Sequence, residues 1–100
     1  MARIDYLFIF LTEGCDPAVH RSVMDTPLGK VVTVGASTVA QACDVAAAAL
    51  ANGEAQFIEV CGAFGEEGCR KVSAAVGGEL PVGYVTYAPE ERVKVDALFG

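Results

Sequence analysis

The segment Glu59-Val60-Cys61-Gly62-Ala63-Phe64-Gly65-Glu66-Glu67-Gly68 runs from an apolar stretch through glycines into a helix-forming stretch. Open α/β sheets hold their ligands at such strand-to-helix junctions, where free amides and close backbone approach are available. Three kinds of chemistry fit these residue types. The first is an anion held on the Gly62 to Gly65 turn. Glu66 and Glu67 already fill the first helical turn with negative charge, however, and the chain has neither a Gly-x-x-x-x-Gly-Lys-Ser/Thr nor a Gly-x-Gly-x-x-Gly spacing, so no nucleotide cofactor is expected. The second is thiol chemistry at Cys61, with His20, the only histidine, as base and Glu59 or Asp16 as the orienting acid. The third is acid/base or hard-cation chemistry shared by Glu13 and Glu59, for which a third oxygen ligand is missing, so no metal is expected. Each has a plainer counterpart: glycines that only permit a tight turn, a cysteine that packs as a small apolar residue, a histidine on the surface.

The elements that must position these residues follow from periodicity. Ile4 to Leu11 is apolar on both faces after Asp5, as in a strand buried on both sides. Thr12-Glu13-Gly14 stops it. Asp16-Pro17, with Val19 and Val23 four apart, predicts a short helix from about Pro17 to Met24, ended by Thr26-Pro27. Val31 to Val34 is a β-branched strand. Thr38-x-x-Gln41 is a capping box, and Val39, Ala42, Cys43, Ala46, Ala49 and Leu50 give a helical stripe closed by Asn52-Gly53. Gln56 to Cys61 is the third strand. A helix from Glu66 to about Val76, with Cys69, Val72 and Val76 on one face, stops at Gly77-Gly78, and Val82 to Tyr87 is the fourth strand. Residues 88–100 carry both a helix start, Pro89-Glu90-Glu91, and a strand-like alternation at Val93 and Val95. Leu98 and Phe99 are too apolar for a free end, so this tail is expected to dock on its own subunit or on a neighbour.

These elements spell βαβαβαβ in one α/β domain spanning residues 1–100, with a mostly parallel four-stranded sheet. The doubly apolar first strand belongs inside it. That favours the flavodoxin-like order 2-1-3-4, with the short first helix on one face and the other two opposite; a sequential partial-barrel order is the alternative. In the favoured order Thr12 and Glu13 lie beside Gly62, Phe64 and Gly65, and these five are the expected ligand-binding residues.

Composition narrows the partners. With 13 acidic against 7 basic residues and a net charge of −6, and with the basic residues scattered, nucleic acid is not expected to bind. The longest early apolar run, Tyr6 to Leu11, falls far short of the roughly 20 residues of a membrane span and does not have the shape of a secretion signal. A cytoplasmic location follows, in which Cys15, Cys43, Cys61 and Cys69 should be free thiols. A mean hydropathy of +0.42 exceeds that of an ordinary soluble domain, so self-association into a homo-oligomer is expected.

Asp16-Pro17, Thr26-Pro27, Val34-Gly35, Ile58 to Gly65, Gly68, Ala75 to Gly78 and Pro81-Val82-Gly83 together resemble a family of small bacterial and archaeal proteins of unknown function. Its mark is a Glu-Leu-Cys-Gly-Gly-Phe-Gly-like loop, in which this chain has Val60 and Ala63 for Leu and Gly. The resemblance spans Leu7 to about Tyr87 and implies no activity, so it assigns no catalytic residue. The leading expectation is a small molecule bound at the strand ends around Glu59, Cys61, Gly62 and Phe64. The alternatives are a small enzyme using Cys61 or Glu59 with His20, and a structural or interaction module.

Overall fold

A computed structural model describes residues 3–100; positions 1 and 2 of the expected domain lie outside the described residues. The element order is β1 (Tyr6–Leu11), β2 (Arg21–Thr26), β3 (Gly29–Ala36), α1 (Val39–Ala51), β4 (Phe57–Val60), a 3-10 turn (Gly62–Phe64), α2 (Gly65–Ala75), β5 (Val82–Tyr84) and α3 (Pro89–Phe99). The sheet has five strands in the order β2-β3-β1-β4-β5. Its parallel part, β3-β1-β4-β5, places the doubly apolar β1 centrally, with Phe8 level with Thr33 of β3 on one side and with Glu59 of β4 on the other.

The fifth strand corrects the expected four-stranded sheet, because the helix expected over Pro17 to Met24 does not form. Its start signal is spent in a single turn. Asp16 Oδ1 accepts from the Ala18 N–H at 2.9 Å, the Asp16 carbonyl accepts from the Val19 and His20 N–H groups, and His20 Nδ1 accepts from the Asp16 N–H at 2.8 Å. Gly35 N–H then donates to the His20 carbonyl, and the chain continues as β2, antiparallel to β3 from Arg21 opposite Val34 to Thr26 opposite Gly29. Thr26-Pro27-Leu28-Gly29 is therefore a hairpin turn, tied by the Thr26 hydroxyl to the Gly29 N–H and carbonyl. An eight-residue helix is too short to be stable without packing, whereas pairing with β3 over six residues satisfies the backbone of this run.

The remaining local signals form as expected. Thr38 Oγ1 accepts from the Gln41 N–H at 3.1 Å, while Gln41 Oε1 accepts from the Ser37 N–H at 2.8 Å. At the other end of α1, the Glu54 N–H donates to Ala49 and the Gly53 N–H to Leu50, a Schellman ending. The strands at Phe57–Val60 and Val82–Tyr84 are shorter than their apolar runs. Residues 89–99 resolve as a helix, with Pro89 in the first turn.

A single buried cluster lies between α1, α2 and one sheet face. Leu7, Ile9, Val32, Val34, Ile58 and Val60 point into it from the strands, and Ala42, Ala46, Cys69 and Val72 meet them from the helices. Each fully buried Leu, Ile or Val contributes roughly 1.5–3 kcal/mol. The alanine stripe of α1 adds less per residue but lets the helix lie close to the sheet. With the first helix gone, no helix covers the opposite face among the described residues, which corrects the expected two-sided layering. Tyr6, Phe8, Phe10, Val31 and Phe57 stand on that face half-buried, and the Tyr6 and Phe57 rings stack at 4.7 Å.

Candidate functional site

The chain leaves β1 outward to β2 and β3, crosses back through α1 to β4 on the other side of β1, and continues outward to β5. The reversal puts a crevice at the C-terminal ends of β1 and β4. A cleft of about 730 Å³ opens there. Its floor is Leu11, Thr12, Cys61, Gly62, Ala63 and Gly65; Tyr84 to Tyr87 form one side; α3 forms the outer wall through Arg92, Val95, Asp96 and Phe99. These four recur at three-and-four spacing, so one face of α3 looks into the cleft.

Cys61 is fixed by two bonds to β1. Its N–H donates to the Ile9 carbonyl at 3.0 Å, and its Sγ accepts from the Leu11 N–H at 3.2 Å. The chain then makes the tight turn that the glycines permit: the Phe64 N–H donates to the Cys61 carbonyl, and Gly65, at φ +63°, turns the backbone into α2. A side chain at Gly65 would be strained whatever space it met. Phe64 anchors the turn from below. It is 6% exposed, and a Cβ on Gly68 would stand only 3.0 Å from its own Cβ. Phe64 therefore supports the floor and does not itself face the cleft.

Of the residues the sequence singled out, the cleft gathers Thr12, Cys61, Gly62 and Gly65. Glu13 is exposed in the turn after β1. Glu59 is exposed on the helix-free sheet face, since strand alternation turns it away from the buried Ile58 and Val60. There it borders a shallow hollow with Ile4, Phe57 and Gly83. His20 is held at the start of β2, three strand spacings from β4, or roughly 14 Å. A base must come within about 3 Å of the proton it takes, so His20 and Cys61 are not brought together. The sequence missed Tyr84, Thr86, Tyr87, Arg92 and Asp96. The signal that could have found them is the apolar Leu98-Phe99 end, which marks the tail as part of something.

Charge at the cleft is sparse and already paired. Glu66 Oε1 accepts from Arg70 at 2.7 Å, and Asp96 Oδ1 accepts from Arg92 at 3.1 Å. Among the described residues, no group of three His, Cys, Asp or Glu side chains is placed to hold a metal ion. Burial pushes the Cys69 thiol up, and burial together with Asp44 does the same to Cys43, so both are poor nucleophiles near neutral pH. All four cysteines are free.

Residues 4–100, nearly the whole chain, match one family model. The chain belongs to DUF6506, a family of unknown function. For this DUF6506 chain, the resemblance drawn from the sequence holds at that level. No curated protein and no solved structure matches it. Among the described residues of this DUF6506 chain, no helix is long and apolar enough to cross a membrane.

Proposed function

We propose that the protein binds a small organic molecule in the cleft at the strand ends, between the Cys61 to Gly65 turn and α3. The carrying observation is the cleft itself: about 730 Å³, at the topological switch point, walled by apolar and aromatic groups with a few hydroxyls. That size and lining fall within the usual range of ligand pockets, roughly 300–1,000 Å³. Tyr84, Tyr87 and Phe99 offer flat apolar surface, and Thr12 and Thr86 offer hydroxyls. Arg92, the cation on its lining, is already paired with Asp96 and so offers little to a phosphate, and the cleft better suits an uncharged or cationic molecule with a planar body. The reading is of binding rather than of catalysis by a cysteine–histidine pair, because His20 stands across the sheet from Cys61. A cytoplasmic setting belongs to the same reading and rests on the four free thiols.

A thermal-shift screen of uncharged and cationic metabolites, followed by amide chemical-shift mapping, tests it. A ligand at a hundredfold excess over its Kd adds about 2.7 kcal/mol of stability, which for a chain of this size raises Tm by on the order of 10–20 °C. Perturbed amides should cluster at Cys61 to Gly65 and Thr86 to Tyr87. Ala63→Trp, which fills the cleft from an exposed position, should abolish the shift. A ligand that instead perturbs Phe57 and Glu59, or that binds Ala63→Trp unchanged, removes the proposal.

A further inference from the structure

The helix-free face of the sheet is the largest feature that the cleft does not use. Sheets made mainly of parallel strands are stable with both faces covered, and here α1 and α2 cover one. The other presents Tyr6, Phe8 and Phe10 from β1, Val31 from β3 and Phe57 from β4, with Met24 exposed at the β2 edge. We propose that a second copy of this chain covers this face, making a two-fold dimer in which the two sheets pack against each other.

Polarity and size select the second copy. Glu59 brings a carboxylate to the middle of the face, and a surface that meets its own copy must keep this charge away from its counterpart. The strand register does so. Thr33, Phe8 and Glu59 stand in one row across β3, β1 and β4. A two-fold axis running along β1 in the plane between the sheets exchanges left for right, laying Glu59 of each copy over the partner's Thr33. The hydroxyl can donate to the carboxylate, and Phe8 meets its own kind at the axis, where aromatic pairs gain about 0.5–1.5 kcal/mol beyond burial. The strands have six, six, eight, four and three residues in chain order, which at about 3.3 Å per residue and about 4.8 Å between strands project roughly 430 Å². Side-chain relief makes the accessible area larger than its projection, which brings the face toward the roughly 600 Å² per partner where specific interfaces begin.

Sedimentation velocity of the full chain from 1 to 100 µM reads the state directly. Dimer is expected to predominate at the upper end. Thr33→Glu should raise the dimer dissociation constant at least tenfold at low salt by setting two carboxylates against each other, while circular dichroism stays unchanged. Thr33→Glu combined with Glu59→Lys should recover the wild-type constant to within about threefold, because each copy then offers opposite charges across the axis. Thr33 is half-buried, so Glu59→Lys alone, at an exposed position, is the second variant. It loses the acceptor for Thr33 and should weaken the dimer severalfold. A monomer at 100 µM leaves the face to another protein or to an apolar ligand and overturns the proposal. So does a dimer that neither Thr33→Glu nor Glu59→Lys weakens.

Discussion

Asp5 ties three strands together at the start of the sheet. Its N–H donates to Gln56 Oε1 at 2.6 Å and its carbonyl accepts from the Gln56 N–H, which fixes β1 beside β4; its Oδ1 accepts from the Lys30 N–H at 2.8 Å, which fixes β1 beside β3. The Lys30 amide, assisted by Arg3, holds the Asp5 carboxyl below its ordinary value of 3.8. A carboxyl depressed in the folded state stabilises the fold fully above 3.8, and that contribution is lost as pH falls through the lower folded value. Asp5→Asn should therefore leave the acid limb of the urea midpoint flatter than in the wild type, with the two profiles differing most above pH 4 and converging below; parallel profiles would separate Asp5 from acid stability. In the sequence Asp5 is only a polar residue beside an apolar run, since its partners are 25 and 51 positions away. Cys61 and its glycines were legible because strand, turn and helix signals there adjoin one another. Glu59 and Phe64 lie outside the cleft's lining, which the sequence does not reveal for a related reason. Alternation shows which residues share a face, but not which face a helix will cover.

At the scale of elements, α1 and α2 form where the sequence places them because their caps bond to residues three to five positions away. β2 does not announce itself, since its reason to exist is β3. The hairpin also depends on Gly29, whose missing side chain lets the Ile4 backbone cross above it. A Cβ there would stand 2.0 Å from the Ile4 carbonyl oxygen. The Ile4 N–H donates to the Leu28 carbonyl at 3.0 Å, so backbone would have to move. Gly29→Ala should cost roughly 1–3 kcal/mol, the usual penalty of overpacking. Gly83 in β5 supplies the contrast, with open space where its Cβ would go. Gly83→Ala should be neutral or stabilising by about 0.4–1 kcal/mol through the unfolded chain. Urea melts of the two variants check both, and equal effects would show that the crossing at Ile4 yields easily. The hairpin turn at Thr26-Pro27 is visible in the sequence, but the same residues also read as a helix stop, and only pairing with β3 decides between them.

For the molecule as a whole, the sequence announces an apolar excess but not where it goes. It lies on one open sheet face and along a C-terminal arm. No residue of α3 is buried, and Phe99 at its end is 83% exposed. An isolated helix shorter than about 12–15 residues is marginal in water, so α3 has little to hold it beyond its own ion pairs, Arg92 with Asp96 and Lys94 with Glu91. Exposed pairs of this kind are worth about 0.3–0.5 kcal/mol each. The amides of α3 should thus exchange with solvent orders of magnitude faster than those of β1 and β3, and should slow when the cleft is filled, because a bound molecule would join the arm to the floor. Removing residues 88–100 should leave the urea midpoint of the sheet within the equivalent of about 1 kcal/mol, since no buried apolar surface is lost. It should also leave the dimer in place, because the open face is untouched, and abolish the ligand-induced rise in Tm, because the outer wall of the cleft goes with it. A truncated chain that unfolds more readily would mean that α3 supports the core. One that still binds would move the ligand away from the arm and onto the turn at Cys61 alone.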